Sequence, residues 1–113
     1  MERIVEQGLL YDFYGELLTD HQKQIYEAAV YNDMSLTEIA EENGISKQGV
    51  HDLIKRCTNT LQGYEDKLHM IHRFEAIKDS AENILKETDE RCSDEKLAHD
   101  LKRIASNILE ELG

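Results

Sequence analysis

The chain has 113 residues, 24 acidic and 13 basic, and its formal net charge at pH 7 is −11. No stretch approaches the roughly 18 consecutive apolar residues of a membrane span, and because the first fifteen residues include several charged ones we expect no secretory signal. Two cysteines 35 positions apart do not form a disulfide framework, so we expect a cytoplasmic protein that does not bind membranes. The charge is opposite to that of most nucleic-acid-binding proteins, and a nucleic-acid site here requires a local excess of basic residues.

Apolar residues recur at helical spacing over almost the whole chain, and no strand-like alternation persists. We therefore predict an all-α fold, with a first helix from about Arg3 to about Leu18. Its apolar face is wide, with a main stripe at every fourth position and a second stripe beside it. The two stripes are Val5, Leu9, Phe13 and Leu17, then Leu10, Tyr14 and Leu18.

Two capping boxes predict where the next helices begin. In Thr19–Gln22 and in Ser35–Glu38, a hydroxyl residue is followed three positions later by Gln or Glu, so each side chain can bond the other residue's backbone N–H. Asn43 and Gly44 end the third helix, because glycine adopts the left-handed conformation of a helix C-terminus at little steric cost. Ser46 is the predicted cap of the fourth helix.

The second half of the chain is predicted to consist of long helices. Beyond the fourth cap, apolar residues step by three or four, which predicts a helix from Lys47 to about His72 and a further helical segment to about Glu87. Residues 88–93 lack apolar periodicity and are predicted to form a turn, with Ser93 capping the last helix. The apolar seam of that helix is Leu97, Leu101, Ile104, Ile108 and Leu112.

The segment SLTEIAEENGISKQGVHDLIKR, residues 35–56, has the residue pattern of a helix-turn-helix motif. Two short helices that cross through a tight turn need a small residue where they approach, a glycine in the turn and apolar residues facing the shared core. These positions are occupied by Ile39, Ala40, Gly44, Ile45, Val50 and Leu53. Asn43 departs from the pattern, because an apolar residue is commonest there. An ordinary helical hairpin is the alternative interpretation, since alanine and glycine are common residues.

The second helix of this motif would present a polar face suited to nucleic acid: Ser46, Lys47, Gln48, His51, Lys55 and Arg56. A glutamine can form two hydrogen bonds to adenine, and a lysine can bind guanine or a phosphate. Residues 46–56 contain three basic residues and one acidic residue, Asp52, so their local charge is +2. The alternative is a solvated polar face without a ligand, which is ordinary on an exposed helix.

Three blocks of the sequence together resemble the YlxM-like family of small bacterial proteins. DNA binding is ascribed to that family, and its helix-turn-helix is similar to region four of sigma factors. The blocks are YDFYGELLTDHQKQIYE at 11–27, MSLTEIAEENGISKQGVHDLIKR at 34–56 and YEDKLHM at 64–70. Residues beyond about 75 carry no motif of the family, so the C-terminal seam depends on periodicity alone.

The resemblance implies an all-helical fold without a wing and carries over four nucleic-acid contacts: Lys47, Gln48, His51 and Lys55. It also implies a link to the signal recognition particle pathway, because such proteins are typically encoded beside that particle's protein and receptor. Two functions therefore stay open. One is a regulator that binds DNA, or RNA, through residues 46–56, and the other is an adaptor that docks on a component of the signal recognition particle.

No catalytic, metal or cofactor site is predicted. The chain lacks a phosphate-cradling glycine loop, a serine nucleophile motif and converging carboxylates, so we do not expect an enzyme. His69 and His72 are three residues apart, but no glutamate lies between them. Neither Cys57 nor Cys92 has a neighbouring cysteine, so a solvated histidine pair is favoured over a zinc site. Cys57 lies on the apolar stripe and is expected to pack as a small hydrophobic residue.

We expect residues 57–112 to mediate a homodimer, because the seams of two long helices are hard to bury within so small a chain. The predicted contributors are Leu61, Leu68, Ile71, Leu101, Ile104 and Ile108. Residues 74–113 hold eleven acidic and six basic residues, a net charge of −5 that is unsuited to contact with DNA. The expected organisation is a single domain of residues 1–113, with a helix-turn-helix bundle at 1–56 and an extension at 57–113. An intramolecular bundle of the same helices is the alternative.

Overall fold

The structure is a computed structural model that describes residues 3–113, and every regular element within them is a helix. The all-α prediction is therefore confirmed. The helices are α1 (Arg3–Tyr14), α2 (Asp20–Val30), α3 (Leu36–Asn43), α4 (Lys47–Leu68), α5 (Met70–Arg91) and α6 (Glu95–Leu112), and a short 3-10 helix, Gly15–Leu17, follows α1. The chain divides into two compact units, Met1–Ile71 and His72–Gly113. None of the described helices is long and apolar enough to cross a membrane.

α4 is the central helix of the first unit, and α1, α2 and α3 all pack against it. Val50 belongs to one buried cluster, and Cys57 and Leu61 to another. The partners of Val50 are Ile25, Ala28, Ile39 and Ala40. The partners of the other two are Leu10, Tyr14, Leu18 and Tyr26. Cys57 is 1% exposed, so its predicted packing as a hydrophobic residue is confirmed, and burial raises the pKa of its thiol.

Of the wide apolar face predicted for α1, the stripe of Leu10, Tyr14 and Leu18 is buried more deeply than the stripe beside it. Its innermost residues are Leu10 and Tyr14, whereas Val5 is 47% exposed and Leu17 is 58% exposed. Both stripes are apolar, and helical spacing alone does not decide which of them faces a neighbouring helix. α1 also ends at Tyr14, earlier than predicted, because the chain tightens into the 3-10 helix. A Cβ at Gly15 would lie 2.8 Å from the ring of Tyr11, so this close approach requires glycine.

Both predicted capping boxes are confirmed. The Oγ1 atom of Thr19 accepts a hydrogen bond from the N–H of Gln22 at 3.2 Å, and the N–H of Thr19 donates to Gln22 Oε1 at 2.9 Å. At the start of α3, the Oγ atom of Ser35 accepts from the N–H of Glu38 at 3.1 Å, and the N–H of Ser35 donates to Glu38 Oε1 at 3.4 Å. Each box satisfies two backbone donors that would otherwise lack a partner.

α4 ends at Leu68, before the predicted end at His72. The reason is His69, which adopts the left-handed conformation with φ 55° and donates its N–H to the carbonyl oxygen of Glu65 at 2.8 Å. A residue with this backbone closes a helix, and α5 begins at the next residue, Met70. The apolar periodicity continues across the break, which is why spacing did not locate it.

Tyr14 and Glu65 together hold the first turn of α5. The Tyr14 hydroxyl donates to Glu65 Oε1 at 2.5 Å and accepts from the N–H of Met70 at 3.2 Å. The same Glu65 oxygen accepts from the N–H of Ile71 at 2.9 Å. Burial and the bond to Glu65 raise the pKa of Tyr14, so the hydroxyl keeps the proton that it donates. Two side chains from other helices therefore take the place of a local N-terminal cap.

The second unit contains residues 72–91 of α5 and all of α6, and it buries little. Within residues 72–113 the buried side chains are Ala81, Thr88 and Ala105. Large apolar side chains remain between 37% and 51% exposed: Ile77, Ile84, Leu97 and Ile104. The apolar seam predicted for the last helix is thus only partly covered within this chain.

The predicted turn at 88–93 is wrong as far as Arg91, because α5 continues to that residue. The hydroxyl of Thr88 donates to the carbonyl oxygen of Ile84 at 2.6 Å, and Arg91 Nε lies 3.0 Å from Glu87 Oε2. The contact of Arg91 with Glu87, four residues apart, supports a helical turn without apolar periodicity. The predicted Ser93 cap is also wrong. Asp94 caps α6, because its Oδ1 accepts from the N–H of Leu97 at 3.0 Å.

We expect Tyr14→Phe to destabilise the protein by about 1.5–3 kcal/mol, because the change removes a hydrogen bond to a carboxylate. Urea unfolding followed by circular dichroism measures the difference. Tyr64→Phe is the matched control. Its ring packs against that of Tyr14, while its hydroxyl forms no hydrogen bond to residues 3–113. Equal destabilisation of the two variants would contradict the role assigned to the Tyr14 hydroxyl.

Candidate nucleic-acid interface

A left-handed glycine connects α3 to α4. Gly44 has φ 65° and ψ 30°, and its N–H donates to the carbonyl oxygen of Ala40. The N–H of Ile45 donates to the same oxygen at 3.1 Å, which completes the hydrogen-bonded closure of α3. Ser46 then caps α4 as predicted, because its Oγ accepts from the N–H of Gly49 at 2.9 Å. Three successive residues therefore end one helix and begin the next.

The residues predicted to form the core of this motif are mostly buried. Ile39 and Val50 are 0% exposed, Ala40 is 8% exposed, and Leu53 is half-buried between the two core clusters. Ile45 differs from the prediction, since it is 36% exposed. Its position in the turn, between the end of α3 and the cap of α4, directs it away from the centre of the unit.

Asn43 has a structural role although an apolar residue is commonest at its position. Its side-chain amide donates to the carbonyl oxygen of Ile39 at 2.8 Å. That carbonyl lies four residues earlier in the same helix, so the asparagine side chain bonds back to α3 at a position where an apolar residue would pack.

The polar residues predicted to contact nucleic acid all lie exposed at the start of α4: Ser46, Lys47, Gln48, His51, Lys55 and Arg56. Gln48, His51 and Lys55 follow the spacing that places residues on one helical face, and Val50 is buried on the other side. No ion pair within 4.0 Å joins Lys47, Lys55 or Arg56 to another described residue. The charges of Lys47 and Lys55 are therefore available to an external anion, whereas the charge of Arg56 also helps to lower the pKa of Asp52.

One acidic side chain interrupts this face. Asp52 Oδ1 accepts a hydrogen bond from Gln48 Nε2 at 2.9 Å and lies 3.5 Å from His51 Nδ1. These bonds from Gln48 and His51 lower the pKa of Asp52, so its carboxyl group is ionised at neutral pH. In the charge count of residues 46–56, Asp52 only lowers the net positive charge. The spacing of four residues between Gln48 and Asp52 was the signal for the contact.

A shallow, open depression lies beside the same residues. Its lining consists of Leu36 from α3 and of Lys47, Gln48 and His51 from α4. Leu36 adds an apolar contact to a face that is otherwise polar. Within residues 3–113, no group of three or more His, Cys, Asp or Glu side chains is arranged to hold a metal ion.

The packed helices α3 and α4, the glycine turn between them and the exposed polar face of α4 define a helix-turn-helix protein. Comparison with known families agrees, because the model of the family described as "Putative helix-turn-helix protein, YlxM / p13 like" matches residues 1–104. The chain belongs to this family, UPF0122.

Curated relatives carry the same family designation. A UPF0122 protein of Thermoanaerobacter sp. (strain X514) is 42% identical over 105 residues, which cover 90% of each chain. A UPF0122 protein of Clostridium kluyveri is 38% identical over 112 residues, 99% of this chain and 100% of the relative. One from Acetivibrio thermocellus is 47% identical over 87 residues, 77% of this chain and 74% of the relative. The similarity thus extends over both compact units.

We expect Gly44→Ala to destabilise the protein by about 1–2 kcal/mol, because a residue with a Cβ adopts the left-handed conformation only at that cost. Gly63→Ala is the matched control. Gly63 lies inside α4 with no atom within 4 Å of an added Cβ, so alanine there should stabilise by up to about 1 kcal/mol. Urea unfolding of both variants tests the contrast, and changes of the same sign would contradict it.

Proposed function

We propose that this protein is a nucleic-acid-binding regulator that contacts duplex DNA, or RNA, through residues 46–56. The single observation that supports the proposal most is the exposed start of α4. There, three cations without an ion-pair partner among the described residues accompany Gln48 on the second helix of a helix-turn-helix. In such motifs the start of the second helix enters the major groove and contacts base edges. Gln48 then pairs with adenine, and the cations bind phosphate or guanine.

The charge of the chain sets the strength of this binding. The interface segment carries +2, against −11 for the whole chain. Affinity for the phosphate backbone depends on the counterions that basic residues displace. A few cations on an acidic body give modest affinity that falls steeply with salt, so the protein should release its target easily.

We propose further that a homodimer forms through the C-terminal extension. Exposed apolar residues on α5 and α6 support it, including Leu97 at 51% and Ile104 at 47%. Two-fold symmetry would place two recognition helices on half-sites about 34 Å apart. Leu61 does not belong to this surface, contrary to the sequence-based expectation, because it is 0% exposed in the core of its own unit.

The alternative function is a protein-interaction adaptor that docks on a component of the signal recognition particle. The same exposed apolar residues and the net charge of −5 over residues 74–113 favour it. Salt separates the two functions, because binding to phosphate weakens as salt rises and an apolar protein interface does not.

We expect the double variant Lys47→Ala, Gln48→Ala to lose sequence-selective binding while remaining folded. Both side chains are exposed, so their loss removes contacts to the ligand and leaves the core intact. Selection from random duplex DNA, followed by fluorescence anisotropy at several salt concentrations, measures the effect. The loss of one lysine should also reduce the salt slope by about 1.

The matched control is Gln62→Ala, Lys67→Ala. It removes the same residue types from exposed positions of α4 outside the helix-turn-helix. Retained selectivity in the Lys47, Gln48 variant would contradict the recognition-helix assignment. Equal losses in the two double variants would indicate a general electrostatic effect instead.

We expect light scattering at tens of micromolar to give twice the 13.1 kDa mass of one chain. Leu97→Asp together with Ile104→Asp should restore the mass of a single chain, because the carboxylates would be buried without partners in the interface. Val5→Asp, at a comparably exposed position of α1, is the control and should remain dimeric. A single-chain mass for the unaltered protein would end the dimer proposal.

A further inference from the structure

Asp52 forms a hydrogen bond to Gln48, the side chain of this face that can pair with adenine. Its Oδ1 accepts from Gln48 Nε2 at 2.9 Å, and His51 Nδ1 lies 3.5 Å from the same oxygen. All three residues are exposed at the start of α4, within two helical turns of the Ser46 cap. The carboxylate therefore belongs to the interface itself.

The contact decides how the Gln48 amide is oriented. An ionised carboxylate only accepts hydrogen bonds, so it binds the nitrogen end of the amide and leaves the carbonyl oxygen of Gln48 to other donors. One N–H is used, and the other N–H and both lone pairs of the oxygen stay available. Adenine presents one acceptor, N7, and one donor, the N6 amino group, in the major groove. The groups left on Gln48 match this pair.

We infer that Asp52 is a positioning residue that orients Gln48 for adenine and so sets the base preference of the helix. The inference rests on the proposed nucleic-acid function. Asp52 also places a negative charge close to where phosphates would bind, which lowers affinity for every sequence. The residue therefore gives up general affinity in exchange for selectivity between bases.

The chain contains a matched control for this contact. Gln62 Nε2 donates to Asp66 Oδ1 at 2.9 Å, the same pair at the same spacing and distance, further along α4 and outside the helix-turn-helix. A pair of this kind contributes modestly to any exposed helix. Removing Asp66 reports that helical contribution and the loss of one negative charge, without touching the interface.

The experiment begins with selection of a preferred duplex by the unaltered full chain. Binding is then measured for that duplex and for duplexes in which each A·T pair is replaced by G·C. Gln48→Ala should lose discrimination on the order of tenfold at one adenine. Asp52→Ala should lose it at the same adenine while binding the other duplexes at least as tightly as before. Asp52→Asn should keep most of the discrimination, because its amide oxygen still accepts from Gln48, and Asp66→Ala should keep all of it.

Each other result overturns the inference in a distinguishable way. If Gln48→Ala loses discrimination and Asp52→Ala keeps it, the proposed function stands and the positioning role falls. Equal weakening of all duplexes by Asp52→Ala would show a structural role, which circular dichroism of the variant would reveal independently. If the unaltered protein selects no sequence, the inference falls together with the sequence-reading function on which it rests.

Discussion

The buried face of α4 is the constraint on which the rest of the first unit depends. Val50 and Leu61 are both 0% exposed and lie about 16 Å apart along the helix. α4 is therefore packed against other helices at two points along its length, one in each buried cluster. The rotation of the helix about its axis is thereby fixed. Because one side is buried over that length, the opposite side of its first turns must face solvent, and the positions of Gln48 and Lys55 follow from this packing.

The acidity of the chain is unevenly distributed along the sequence. The start of α4 is weakly basic, whereas residues 74–113 carry −5 and expose apolar side chains. An acidic, partly apolar surface suits contact with protein, and a basic helix start suits phosphate. Within the basic segment 46–56, Asp52 is the one acidic residue, and its carboxylate accepts a hydrogen bond from Gln48.

Much of the fold and most of the candidate interface follow from local sequence. The caps at Thr19, Ser35 and Ser46 and the turn at Gly44 depend on bonds between residues a few positions apart, so a short window contains all the partners. The end of α5 escaped prediction although its contacts are also local, because the prediction there relied on apolar periodicity alone. The last turn is supported by the contact of Arg91 with Glu87, and its buried residue, Thr88, is polar.

The sequence by itself therefore determined the helical class, the caps, the glycine turn and the polar residues that begin α4, because each depends on near neighbours. Only the tertiary structure decided which stripe of α1 is buried and that Leu61 belongs to the core. It also decided that Tyr14, 56 residues before Met70, completes the start of α5. These outcomes depend on contacts between distant segments, and such contacts are set when several apolar faces compete for one core.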